Sequence, residues 1–144
     1  AEDIPSVELD NSKVLLNLIS GSWEGQNGPV ASLTGLWMST VEIAPQGHFE
    51  TTVEPSREIF LYVAQGKVNV NGQEIDNRSL VQFSDDGEML QIQGVEDAII
   101  LFGHGSRINE KVVARGPFVM NTEDEIKRAW NDYHSGRFGN ALPE

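Results

Sequence analysis

The side chains that could do chemistry are few and widely spaced. The histidines His48, His104 and His134 lie 56 and 30 positions apart, with no i,i+2 or i,i+4 pairing among them. A transition-metal site needs several neutral imidazoles and a carboxylate facing one cavity. Here only the fold could assemble one, and scattered histidines more often have local roles. His134 suits the last turn of a helix, where a cation complements the dipole. Glu50, Glu54 and Glu58 recur at every fourth position, which on a helix would make an acidic face for general acid–base work. Thr51-Thr52-Val53 and Pro55 break a helix at that place, so the three belong to a loop or a strand pair, as solvated carboxylates. Arg57, set between Glu54 and Glu58, is either an anion-binding group at a cavity mouth or a surface ion-pair partner. Gly25-x-x-Gly28-Pro29 lacks the Gly-Lys-Ser/Thr ending of a phosphate loop. Ser84-Asp85-Asp86-Gly87 lacks the spacing and terminal Glu of a calcium loop and reads as a turn. With no cysteine, thiolate ligands, cysteine nucleophiles and disulfides are excluded.

The elements that must position these residues belong to one domain. A chain of 144 residues with 39% hydrophobic content can bury one core and is too short for two ordinary domains. Ten Lys+Arg against 22 Asp+Glu, net charge -12, argue against a surface for nucleic acid or anionic lipid. The longest apolar runs, such as Ala98 to Phe102, fall far short of the roughly 20 residues of a membrane helix. No charged segment followed by an apolar one opens the chain, which makes the cytoplasm the expected compartment. The opening Ala1-Glu2-Asp3-Ile4-Pro5, without an initiator Met, reads as a linker end or a processed terminus.

From about residue 13 to residue 115 short β-type segments alternate with turns, the pattern of a sandwich or barrel. Predicted strands are Val14 to Ile19, Leu36 to Ile43 with Trp37 and Val41, Glu58 to Ala64, Lys67 to Val70, Leu80 to Phe83, Glu88 to Gln93, and Asp97 to Phe102. Asn71-Gly72 is the strongest hairpin signal. Ser22 to Pro29 reads as loop, and His48 is expected in a turn. Near the end the period changes. Thr122 with Glu125 forms a capping box, Glu123 and Asp124 supply negative charge at the helix start, and Ile126, Ala129, Trp130 and Tyr133 share a face. A helix from Glu123 to His134 is predicted, stopped by Gly136 in a left-handed cap. A helix this short must dock on something, its own barrel or a partner. Trp37 is expected in the core, while Trp23, in a Gly-rich loop, and Trp130 are candidates to anchor an interface.

Two stretches carry a family resemblance. Arg115-Gly116-Pro117-Phe118-Val119-Met120-Asn121-Thr122, with the later Tyr133-His134-Ser135-Gly136-Arg137-Phe138-Gly139, resembles the C-terminal half of pirin-family proteins, two-domain members of the cupin superfamily. Phe60 to Gly72 is similar to the barrel segment that many cupins share, and the resemblance runs from about Ile4 to Gly139. It implies an all-β fold: a cupin double-stranded β-helix barrel over residues 13–115, preceded by a linker-like segment 1–12 and followed by a C-terminal run and docking helix over 116–144.

In pirin-like proteins the first cupin domain holds a single iron through His and Glu, and some members are quercetin dioxygenases while others are transcriptional co-regulators. The cupin pattern Gly, five residues, His-x-His, then Glu and a final Gly, laid on Gly47 and Gly66, puts Val53 and Pro55 at the His positions and Ile59 at the Glu position. The second pattern, Pro-x-Gly-x-x-His, lies best on Asp85 to Leu90, with Leu90 at the last His. None of these four can bind a metal, although a shift of register by one residue brings in Glu54, Glu58 and Glu88. The resemblance therefore implies no catalytic residue and no cofactor in this chain, iron being expected only in a partner N-terminal cupin domain. Its partner would be that half or a second copy, met through Phe118, Met120, Ile126, Trp130, Tyr133 and Phe138. The alternatives are a metal-independent small-molecule-binding cupin with Glu54, Arg57 and Glu58 at its mouth, and an acidic regulatory module meeting a basic protein.

Overall fold

The chain is described from a computed structural model covering residues 4–84 and 87–139. It divides into two compact units, residues 1–107 and 108–144.

The first unit is built from twelve strands: β1 (Ser6–Leu9), β2 (Val14–Ser20), β3 (Ser22–Trp23), β4 (Gln26–Asn27), β5 (Trp37–Ile43), β6 (His48–Thr52), β7 (Arg57–Gln65), β8 (Val68–Val70), β9 (Gln73–Ile75), β10 (Ser79–Gln82), β11 (Met89–Gly94) and β12 (Ala98–Ser106). Strands β1-β2-β5-β12-β7-β10 form one sheet and β6-β11-β8-β9 a second. Neighbours in both pair antiparallel, as in a cupin barrel. The period-2 alternation decides which faces meet. In β2 the buried positions are Val14, Leu16, Leu18 and Ser20; in β5 they are Trp37, Ser39, Val41 and Ile43. Phe49, Leu61, Val63, Val68, Leu90, Ile92, Ile100 and Phe102 complete the interior. Each large apolar side chain among these contributes about 1.5–3 kcal/mol on burial. The exposed ion pairs Lys67–Asp76 and Arg107–Glu58 are of a kind worth about 0–1 kcal/mol each. Closure over an apolar interior, not surface charge, holds the barrel.

The outward faces of the two sheets differ in kind. On the six-stranded sheet Met38, Phe60, Tyr62, Ile99 and Leu101 point away from the core and are half-buried, with Leu80 exposed. On the four-stranded sheet the outward rows are His48–Gln93–Asn69 and Glu50–Gln91, all polar.

Several elements depart from the sequence reading. Residues 6–9, placed in a linker-like segment, form β1, registered from Ser6↔Asn17 to Leu9↔Val14. The segment read as loop, residues 22–29, contains the ribbon β3–β4, which Glu24 (φ 46°) and Gly25 (φ 84°) permit by turning in the left-handed region. His48 starts β6 rather than lying in a turn. Strand β12 runs to Ser106, past the end of its apolar stretch, because its later residues still pair with β5 and β7. Asp85 and Asp86 lie outside the described residues. The Asn71-Gly72 hairpin forms as expected, with φ of 48° and 89°.

The second unit holds β13 (Val113–Arg115), β14 (Phe118–Met120) and α1 (Glu123–His134). Residues 108–115, assigned to the barrel by sequence, fall here because β13 pairs with β14 across Gly116-Pro117. The capping box is present: Thr122 Oγ1 accepts from the Glu125 amide at 3.2 Å, and the Glu125 carboxylate accepts from the Thr122 amide at 2.9 Å. At the far end Gly136 (φ 74°) lets its own amide reach the Tyr133 carbonyl and the Arg137 amide reach that of Asp132. Ile126 and Ala129 are buried as α1 packs on the β13–β14 ribbon.

Gly66 links β7 to β8 at φ 73°, and a Cβ there would strike the Asp97 backbone carbonyl, whereas Gly72 faces open space. Strain and overpacking combine at the first and only strain acts at the second. Gly66→Ala should lower unfolding stability by about 2–4 kcal/mol and Gly72→Ala by about 1 kcal/mol, as read from urea midpoints. Equal losses would contradict the close approach.

Candidate functional site

Of the expected cupin ligand positions, Val53, Pro55 and Ile59 line one cavity, and Leu90 is not among its lining residues. Val53 follows β6 and is buried (3% exposed); Leu90, in β11, is buried (1%); Ile59, in β7, is half-buried against the core. Pro55 is exposed, in the turn that the Arg57 amide closes on the Glu54 carbonyl at 2.9 Å. Val53 and Ile59 line a cavity of about 150 Å³, with Glu54, Arg57, Glu58 and Arg107 among its charged residues. Among the described residues no group of three or more histidines, aspartates and glutamates is placed to hold a metal ion.

Three of the charged side chains at this cavity, Arg57, Glu58 and Arg107, are engaged. Arg107 Nε donates to the Glu58 carboxylate at 3.0 Å. Arg57 turns to neither Glu54 nor Glu58. Its Nε donates to His104 Nδ1 at 2.7 Å, and its Nη2 donates to the carbonyls of Gly35 and, at 3.2 Å, of His104. The imidazole of His104 lies flat on the Trp37 indole, centroids 5.3 Å apart and planes 5° from parallel. Burial first, and the Arg57 charge second, push its pKa down to about 4. His104 therefore accepts a hydrogen bond as a neutral ring. The sequence reading singled out neither this pair nor the stack. The signal was the alternation of β12, which carries Phe102 and His104 to the same face once the strand is extended to Ser106.

The remaining histidines stay apart. His48 Nε2 stands 3.6 Å from the Glu50 carboxylate, which Gln91 holds below the usual carboxylate range by a 2.8 Å hydrogen bond, His48 adding to the effect. His134 Nδ1 is 2.9 Å from the Trp130 carbonyl, and its ring is 4.5 Å from the indole. Trp23 packs 5.9 Å from Trp37 and 6.0 Å from Phe49, at the barrel rather than at an outer interface. Trp23 Nε1 and Ser39 Oγ are buried without a hydrogen-bond partner. In the second unit Phe118 is half-buried at the centre of an aromatic cluster with Trp130, Tyr133 and Phe138, each 6.1–6.2 Å away and more than half exposed. Met120 is half-buried and Ile126 is buried, so the outward aromatics of the helix and its tail are Trp130, Tyr133 and Phe138.

The packing at Leu90 gives a direct check. Leu90→His would bury an imidazole with no partner in an apolar setting and should cost about 2–4 kcal/mol of stability, measured by chemical denaturation. Retention of full stability would mean that this position is not core.

Comparison with known proteins agrees with the architecture. The family described as the pirin C-terminal cupin domain matches residues 38–139. A pirin-like protein of Caulobacter vibrioides is 35% identical over 141 residues, covering 95% of this chain and 50% of that protein. A pirin-like protein of Solanum lycopersicum is 27% identical over 142 residues, 96% of this chain and 48% of its own length. The crystal structure of a quercetin 2,3-dioxygenase from Acinetobacter baumannii superimposes with a TM-score of 0.90 at 28% identity, covering 99% of this chain and 50% of that one. The chain thus spans about half the length of these relatives. With the cupin barrel, the C-terminal run and the matched segment in agreement, the chain belongs to the pirin family, in its C-terminal cupin domain.

Proposed function

We propose that this chain acts as the metal-free, non-catalytic half of a two-barrel pirin-type protein, packing on a metal-bearing cupin half and helping to wall its active-site cleft. The observation that carries the reading is the chemistry of the ligand positions: Val53, Ile59 and Leu90 offer only hydrocarbon where a cupin needs imidazoles and a carboxylate. Iron does not fit this barrel, and the reading assigns it to the other half. The coverage of about half of each relative supports a second domain of similar size. The outward aromatics Trp130, Tyr133 and Phe138 and the Gly116 to Thr122 run supply contact elements of the type that dominates interface energy.

A small-molecule site at the same mouth has less support. Its cavity of about 150 Å³ is below the roughly 300–1,000 Å³ of ordinary ligand pockets, and Arg57 and Glu58 are already engaged.

The reading is tested with the half of the Caulobacter vibrioides relative that this chain does not match, expressed separately and titrated against the chain by calorimetry. Binding is expected, weakened at least about tenfold by Trp130→Ala with Tyr133→Ala, since buried aromatic anchors typically cost 2 kcal/mol or more. No binding, or binding indifferent to both substitutions, would contradict the proposed contact.

A further inference from the structure

We propose that Arg57 and His104 form an acid-sensitive latch that holds residues 29–36 against the end of the barrel, and that protonation of the imidazole releases them. The latch joins three parts of the first unit: Arg57 on β7, His104 on β12 and the segment between β4 and β5. It is independent of the function proposed above.

The segment is lightly tied. It contains no charged residue. The Val30 amide donates to the Ile19 carbonyl at 3.0 Å, and Ser20 Oγ donates to the Leu36 carbonyl at 2.9 Å. Ser32 Oγ accepts from the Leu36 amide at 2.9 Å, a bond internal to the segment. The long-range tie between Val30 and Leu36 is the Gly35 carbonyl, which accepts from Arg57 Nη2. Gly35 is at φ 68°, a left-handed turn that aims this carbonyl. At the apex Leu33 is fully exposed, so the segment itself buries little apolar surface there to keep it down.

The same guanidinium is aimed by His104. A guanidinium can only donate, so Nδ1 must keep its lone pair to accept from Arg57 Nε at 2.7 Å. Protonation turns that acceptor into a donor and sets two cations against each other. The ring is stacked on Trp37 and lies 6.0 Å from Phe102, so rotating it away would break both contacts. Arg57 is the mobile member, and its departure takes the Gly35 tie with it.

Among the described residues the charged groups around the ring do not counter this. β7 contributes Arg57, and its Glu58 is paired with Arg107. β5 contributes Trp37, without a titratable group, and the β12 neighbours are Gly103 and Gly105. The folded-state pKa of about 4 lies below the ordinary imidazole value of 6.5, so the open form binds the proton more readily. The latch is complete above about pH 6.5 and is lost as the pH falls through about 4.

The experiment is hydrogen exchange on the whole chain at pH 7 and pH 4.5, corrected for the intrinsic pH dependence of amide exchange, with a parallel NMR titration of His104. Exchange at residues 30–36 should rise at least roughly tenfold on acidification, while the Asn71-Gly72 turn stays unchanged. His104→Gln presents a carbonyl that accepts from Arg57 without titrating and should keep the segment protected at both pH values. Arg57→Met should expose it already at pH 7. If either variant fails to fold, the unmodified chain still decides, because segment exchange must follow the His104 titration. A segment indifferent to pH while His104 titrates, or a pH response that survives in His104→Gln, overturns the proposal.

Discussion

The barrel depends on its apolar interior, in which Ser20 and Ser39 are the buried polar residues among those described. Two sheets of unequal width close on each other through Leu16, Leu18, Val41, Leu61, Ile92, Ile100 and Phe102, all fully or almost fully buried. Val53 and Leu90 belong to the same packing. In a metal-bearing cupin the equivalent ground must hold imidazoles whose outer nitrogens are themselves bonded. Here the space is occupied by hydrocarbon and, toward one end, by the rings of Trp23, Trp37, Phe49, Phe102 and His104. Polar groups placed in such an interior need hydrogen-bond partners there.

What remains polar near that interior is consequently used for tying elements together. Arg57 engages an imidazole and two carbonyls, Trp37 Nε1 donates to the Ser22 carbonyl at 3.0 Å, and Ser20 Oγ reaches the Leu36 carbonyl. These bonds hold the turns at one end of the barrel. The outer face of the four-stranded sheet is lined by amides, whereas that of the six-stranded sheet carries Phe60, Tyr62 and Leu101 beside the hydrogen-bonded Asn17, Thr40 and Glu42.

The strands of the barrel were legible because period-2 alternation and turn residues are local properties. Val14 to Ile19, Leu36 to Ile43 and the Asn71-Gly72 hairpin follow from them, as does α1, whose capping box and left-handed stop are written in Thr122, Glu125 and Gly136. The misread parts were those set by pairing with distant chain. β1 has no strong pattern of its own and exists through β2; β6 is polar on alternate residues and exists through β11; β13 leaves the barrel because β14 is its partner. The candidate site was legible to the same extent. Pattern alignment located Val53, Ile59 and Leu90, but the Arg57–His104 bond joins residues 47 positions apart, and only the register of β7 against β12 brings them together.

The central claim is that this barrel holds no metal of its own and serves a second barrel that does. Native mass spectrometry of the purified chain, with elemental analysis of the same sample, tests it most directly. The account predicts a species of 15.9 kDa or a simple multiple of it, with transition metal far below one per chain. One iron, nickel, manganese or zinc bound per chain, retained through chelation and lost on mutating Glu54 or Glu58, would contradict it.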